Sequence, residues 1–238
     1  MQKSVRFILV TGGPCSGKNT LAEGLAREYG FGFIDMGDYL RKTIQNDPSF
    51  SNVLKEPHLQ EALKTAMNSG HLLPDEIIDT CFQKEVTRII RERNGDYAPK
   101  SIPIIVCGYP RTNGQRASFI RYWSHFGVTH LFLDGEKEIF LERLLRAGKT
   151  RGDRKDDSTS TFEKRWKEFK GKTVPMIKYL QLQEKNIIRN LRITQTNLST
   201  IESVFKRARQ LLALPRHTKN GKGRIRNFVG PVPASVSV

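Results

Sequence analysis

One short stretch constrains this chain more than any other. Gly12-Gly13-Pro14-Cys15-Ser16-Gly17-Lys18-Asn19-Thr20 follows an apolar run at 6–11 and leads into a helical pattern over 18–29. Glycines let a backbone wrap around a phosphate. Successive N–H groups then converge at the helix N-terminus, and a lysine ammonium reaches the outer phosphate oxygens. Strand, loop and helix in that order predict a phosphate-binding loop, with Gly13, Pro14, Cys15, Ser16, Gly17, Lys18, Asn19 and Thr20 as its candidate contacts. The strict pattern for such loops places Ser or Thr directly after Lys; here Asn19 intervenes before Thr20.

The rest of the chain alternates short apolar runs with longer helical periodicities. Strands are predicted over 6–11, 32–35, 102–107, 130–134 and 187–193, several nearly continuous in Val, Ile, Leu and Phe, as expected of strands covered on both faces. Helices are predicted over 18–29, 39–45, 56–68, 75–93, 114–126, 137–145, 162–183 and 200–212. This alternation implies an α/β fold, a doubly wound five-stranded parallel sheet with a ligand crevice at the carboxyl ends of its strands. Two segments break the rhythm. Residues 38–90 run helix after helix, which predicts a helical insertion over the sheet edge. Residues 148–160, GKTRGDRKDDSTS, are too polar for a core element and read as an exposed loop ending in the capping box Ser160-x-x-Glu163.

Lys and Arg number 40 against 24 Asp and Glu, a net charge of +16. That surplus points to polyanions: nucleic acid, an acidic membrane surface or small phosphorylated molecules. Hydrophobic residues at 37% beside 27% charged supply enough apolar surface for a folded unit of this length. The longest apolar runs are strand-sized, far below the ~20 residues that span a bilayer, which excludes a transmembrane helix. Residues 1–4 lead almost directly into an apolar strand, so no cleavable targeting peptide is expected. Cys15, Cys81 and Cys107 are widely spaced with no C-x-x-C, and the five histidines show no ligand pairing. Reduced thiols, a cytoplasmic location and no structural metal are therefore expected. After Leu214 the composition shifts. Residues 215–238 carry Arg216, Lys219, Lys222, Arg224 and Arg226 with no acid, and read as a disordered or loosely docked tail.

Further pieces accompany the loop in a fixed order: Met36-Gly37-Asp38-Tyr39-Leu40-Arg41, Leu73-Pro74-Asp75-Glu76, Gly108-Tyr109-Pro110-Arg111-Thr112 with Gln115, then Arg143, Arg154-Lys155-Asp156-Asp157 and Arg165. With them the sequence resembles the adenylate kinases and related nucleoside monophosphate kinases over residues 6 to about 183; their loop reads G-G-P-G-S-G-K-G-T, with Thr displaced as here. The resemblance implies a P-loop fold of strand order 2-3-1-4-5, a kinase domain over 1–214, a monophosphate-binding insertion at 38–90 and a short lid at 148–160. It also implies a monomer that transfers a phosphoryl group from ATP, with Mg2+, to a nucleoside monophosphate. Lys18, Arg111, Arg154 and Arg165 would be catalytic. The loop residues and Arg143 would hold ATP, Arg143 stacking on the donor adenine. Met36, Arg41, Gly108, Arg111, Gln115, Arg154 and Arg165 would hold the acceptor. Asp156 and Asp157 would orient lid arginines, serve as helix N-terminal charges, or do both. This division suits the chemistry, because bringing two polyanions together requires positioning and charge neutralisation, and guanidinium forks grip phosphate oxygens bidentately. Cys15 reads as an inert small residue, since phosphoryl transfer needs no covalent intermediate.

Four departures from the family's pattern weaken a simple transfer of its activity. The family has Asp where Cys107 stands, and a thiol is a poor partner for hard Mg2+. Met36 replaces a Thr that contacts the acceptor base, and Asn19 replaces a loop Gly. Ala147 stands where many relatives carry Arg, with Arg146 one helix position away and so pointing elsewhere. Gln115, which reads the adenine edge in the adenylate branch, is kept, favouring AMP over UMP or CMP. Asp35 stands where the family has Ser. Its plainer reading is an acidic turn residue; the other is a Mg2+ carboxylate moved across one strand, since this sheet order places strands two and three side by side. Three functions stay open on sequence grounds: an active kinase of the adenylate type, a nucleotide-binding pseudoenzyme weakened at Cys107 and Ala147, and a nucleic-acid-associated ATPase. Arg41, Arg111 and Gln115 in register favour the first. The basic tail is either a solubilising extension or a weak nucleic-acid contact that fades with salt.

Overall fold

A computed structural model describes residues 4–44, 65, 72–93, 101–147 and 158–214. In chain order it contains β1 (Ser4–Gly12), α1 (Lys18–Tyr29), β2 (Gly32–Asp35), α2 (Met36–Ile44), α3 (Asp75–Glu92), β3 (Ser101–Cys107), α4 (Asn113–Trp123), β4 (Gly127–Asp134), α5 (Lys137–Ala147), α6 (Thr159–Glu168), α7 (Val174–Leu182), β5 (Ile188–Thr194) and α8 (Ile201–Leu211). The five strands form one parallel sheet in the expected order β2-β3-β1-β4-β5.

Alternation along β1 explains the layering. Val5, Phe7 and Leu9 enter one core with Phe82 of α3, Phe119 of α4 and Met176 of α7, while Ile8 and Val10 enter a second with Leu21 and Leu25 of α1 and Val204 of α8. Phe7 lies edge-on to Phe119 and Trp123, with ring centroids 5.4 and 5.5 Å away. Each such pair adds about 0.5–1.5 kcal/mol beyond its burial. A third, smaller cluster of Phe140, Leu144, Phe162 and Trp166 joins α5 to α6.

Several element boundaries differ from expectation: β1 spans Ser4–Gly12, and β4 begins at Gly127 where a helix is expected to run on to residue 126. Three others have a local reason. α2 begins at Met36 because the Asp35 carboxylate accepts the N–H groups of Gly37 and Asp38, at 2.9 and 3.1 Å, and starts the helix as the strand ends. The helix predicted over 162–183 is interrupted by a π-helical turn at Phe169–Thr173. Pro175, in the first turn of α7, has no N–H with which to continue an α-helical ladder across that junction. Ser158, not Ser160, caps α6: its hydroxyl accepts the N–H of Thr161 at 3.1 Å, two residues earlier than the capping-box pattern indicates. Apart from residue 65, the helix predicted over 56–68 lies outside the described residues, as do the basic tail, Arg154, Asp156 and Asp157. No described helix is long and apolar enough to cross a membrane.

Candidate active site

The loop after β1 is shaped by backbone positions that exclude side chains or bend the chain. Gly17 caps α1 in the left-handed region at φ +81°. A Cβ at Gly13 would come within 2.8 Å of the Trp166 ring, so the loop lies directly on the third cluster. Cys15 adopts φ +58° and packs against that cluster while also lining the crevice beside it. Lys18 reaches back over the loop, its Nζ donating to the Gly13 carbonyl at 3.1 Å. Burial lowers the pKa of Lys18, and the Arg111 guanidinium lowers it further, while Asp35 acts in the opposite sense.

The other wall is built by the segment following β3. Gly108 turns at φ +81°, the Tyr109–Pro110 peptide is cis, and Arg111 follows. Arg111 Nε donates to the Gly108 carbonyl at 3.0 Å, and its backbone N–H donates to Gln115 Oε1 at 2.8 Å. The other end of the Gln115 amide donates to Asp75 Oδ1 at 2.9 Å, tying α4 to α3. Thr112 caps α4 by accepting the Gln115 N–H at 3.1 Å and donates its own hydroxyl to Asp75 at 2.8 Å. Burial lowers the pKa of Arg111, and the nearby guanidinium groups of Arg165 and Arg41 press it the same way. Lys18, Arg41, Arg111 and Arg165, from three helices and the turn after β3, thus face one volume, an arrangement that a polyanion relieves.

At the far end, Arg143 of α5 donates from Nη1 to Gln195 Oε1 at 2.6 Å and from Nη2 to the Ser199 carbonyl at 3.4 Å. Gln195 is buried and donates in turn to the Ser16 carbonyl of the phosphate loop at 3.1 Å. Sequence reasoning missed both Gln195 and Trp166. No motif marks them; the signal is only that Gln195 directly follows the carboxyl end of a strand, where ligand sites of such sheets lie.

These walls enclose a crevice of about 1060 Å³, lined by Pro14, Cys15, Ser16, Gly17, Lys18, Asn19 and Thr20 from the loop and by Asp35, Met36, Arg41, Gly108, Arg111, Gln115, Arg143 and Arg165 from elsewhere. That volume reaches the upper end of sites for a single drug-sized ligand, roughly 300–1,000 Å³. Met36 contributes from the core side, being only 1% exposed. Arg146 pairs with Glu142 on an exposed face of α5 and does not line the crevice.

Two of the departures from the family's pattern meet here, together with Asp35. The β2–β3 register sets Asp35 opposite Cys107. Asn19 Nδ2 donates to Asp35 Oδ2, and the Cys107 thiol donates to Asn19 Oδ1 at 3.6 Å. Burial pushes the Cys107 thiol up to about 12, so it is neutral at physiological pH.

A parallel sheet of this order, with a lysine-bearing glycine loop at the carboxyl end of its first strand and guanidinium groups converging from across the crevice, defines a P-loop nucleotide-binding protein. The sequence model of the adenylate kinase family matches residues 10–185. The chain is 30% identical over 216 residues to the adenylate kinase of Porphyromonas gingivalis, covering 90% of this chain and 98% of that protein. It is 31% identical over 181 residues to the uridylate kinase of Saccharomyces cerevisiae, covering 76% and 80%. With human adenylate kinase isoenzyme 1 it shares 27% identity over 203 residues, covering 85% and 92%. The chain belongs to the adenylate kinase family and is a phosphotransferase of the nucleoside monophosphate kinase class.

Proposed function

We propose that the chain transfers the γ-phosphoryl group of ATP to a nucleoside monophosphate, with AMP the preferred acceptor and two ADP the products. The observation that carries this reading is the convergence of Lys18 with Arg41, Arg111 and Arg165 on one crevice. Hydrolysis alone has no use for a second set of phosphate-gripping forks. Lys18 and the loop N–H groups hold the donor phosphates; Arg41 and Arg111 hold the acceptor phosphate; Arg165 neutralises charge between them. Ser16 Oγ is buried with no hydrogen-bond partner among the described residues, and the reading makes it a further donor to phosphate oxygen. Arg143, steadied by Gln195, faces the donor base.

Enzymes of this family generally use ATP with Mg2+. The crevice fits such a cation: Thr20 and Asp35 offer hydroxyl and carboxylate oxygen, while the neutral Cys107 thiol does not. Mg2+ bound with ATP supplies neutralisation of phosphate charge; orientation is left to the side chains above.

A second reading, with UMP or CMP as acceptor, is favoured by one observation: both ends of the Gln115 amide are engaged within the protein, by Arg111 N–H and Asp75. A coupled assay of ADP formation with AMP, UMP, CMP and the deoxynucleotides separates them. The proposal expects kcat/KM to be at least about tenfold higher for AMP, the scale of one well-placed polar contact. A preference for UMP or CMP establishes the second reading instead.

A further inference from the structure

We infer that Asp35, at the end of β2, is the carboxylate this kinase turns toward the metal of its metal–ATP complex, and that Asn19 is the residue that positions it. The inference rests on the ATP site proposed above. In P-loop enzymes the divalent cation travels with the nucleotide, and the protein adds one or two oxygen donors, an acidic side chain commonly among them. β3, the neighbour of β1, ends in Cys107. Its thiol is buried, neutral and turned to Asn19, and offers no anionic oxygen.

Among the described residues, the carboxylates lining the crevice are Glu23, Asp35, Asp38 and Glu168. Asp38 is drawn toward Arg41 and Lys42, at 3.7 and 3.0 Å, and Glu168 toward Lys172 at 2.9 Å. Glu23 is exposed on α1. Asp35 alone of the four stands at a strand's carboxyl end, one strand across from Cys107 and in register with it.

Capping explains only half of this side chain. Oδ1 accepts the N–H groups of Gly37 and Asp38, which satisfies the start of α2. Oδ2 is taken instead by the amide of Asn19, the residue after Lys18 in the first turn of α1. That contact draws the second oxygen toward the turn whose N–H groups face the phosphates. A carboxylate oxygen has a second acceptor direction, which stays available to a metal-bound water. Asp35 lines the same crevice as Lys18 and Arg111. Asn19, Asp35 and Cys107 each break the family's pattern and form one hydrogen-bonded unit, so they read as a single exchange: the carboxylate leaves the end of β3, appears at the end of β2, and gains an amide to hold it.

The test uses the full-length protein with Mn2+ in place of Mg2+. Free Mn2+ is followed by electron paramagnetic resonance during titration of the enzyme–ATP complex, and metal-free ATP affinity is measured separately by calorimetry. Asp35→Asn keeps an oxygen for the α2 cap and removes the charge. We expect Mn2+ to bind the ATP complex about 10–100-fold more weakly in this variant, with little change in metal-free ATP affinity. The double variant Asp35→Asn/Cys107→Asp should regain most of the loss. Unchanged Mn2+ affinity overturns the inference. So does an equal loss of ATP affinity with and without metal, which makes Asp35 a cap and nothing more. If circular dichroism shows that Asp35→Asn does not fold, Asp35→Ser, which also caps, undergoes the same titration with the same deciding outcomes. Failure of the wild-type protein to bind ATP at all is a different result, and refutes the proposed function rather than the role of Asp35.

Discussion

At Arg111 a guanidinium is set by its own turn, through Nε to the Gly108 carbonyl, while its backbone N–H is fixed by Gln115. A lysine there keeps the charge but loses the planar fork and the anchor to Gly108. Arg111→Lys is predicted to lower kcat on the order of 10²–10³-fold, the scale of losing one preorganised donor to developing charge, with urea stability little changed; steady-state kinetics beside a denaturation curve check it. Lys18, Arg111 and Gln115 belong to short contiguous motifs, and the structure gives them partners close along the chain: Gly13 to Lys18, Gly108 to Arg111, Arg111 to Gln115. Gln195 stands in no such motif, and its contact with Ser16 joins positions 179 residues apart, so the sequence did not show it. Trp166 escaped for the same reason; only the folded chain shows that Gly13 must be bare to admit its ring.

Helix starts place Lys18 and Gln115, which stand in the first turns of α1 and α4. Thr112 joins three parts of one crevice wall: it caps α4 through the Gln115 N–H, donates to Asp75 at the start of α3, and follows Arg111 directly. Thr112→Ala is predicted to destabilise the fold by about 1–2 kcal/mol, from the lost cap and from one donor fewer on a partly buried carboxylate. Thr112→Ser should recover most of it, as read from the midpoints of urea unfolding. Patterning showed the helices and strands because nearly every core position obeys the period of its element. It erred at the boundaries, where single polar atoms decide. The Asp35 carboxylate moves the start of α2 forward to Met36, and the Ser158 hydroxyl does the same for α6. The break between α6 and α7 had a visible signal in Pro175, outweighed by the continuous apolar periodicity around it.

Across the whole sheet, one buried polar ladder ties three strands together. Thr11 of β1, His130 of β4 and Asn190 of β5 are linked through the imidazole, at 2.7 and 2.9 Å. Burial pushes His130 down to about 4 from the ordinary 6.5, so the folded protein holds the ring neutral. A group with a depressed folded-state pKa that binds its proton more readily when unfolded contributes fully above pH 6.5, and that contribution is lost as pH falls toward 4. The decline should amount to about 2 kcal/mol between pH 7 and pH 4.5, seen as a falling urea midpoint. His130→Gln should flatten that part of the profile. At the same scale the +16 charge finds part of its explanation in the cations around the crevice, so small polyanions account for a share of what composition alone assigned to nucleic acid or membranes. The measurement closest to the central claim follows the γ-phosphoryl group itself. With γ-labelled ATP, AMP and Mg2+, the label should appear in the β position of ADP, at a rate that depends on AMP and collapses in Arg111→Lys. Label released as inorganic phosphate at the same rate with and without AMP, or no turnover with any nucleoside monophosphate, would contradict the account.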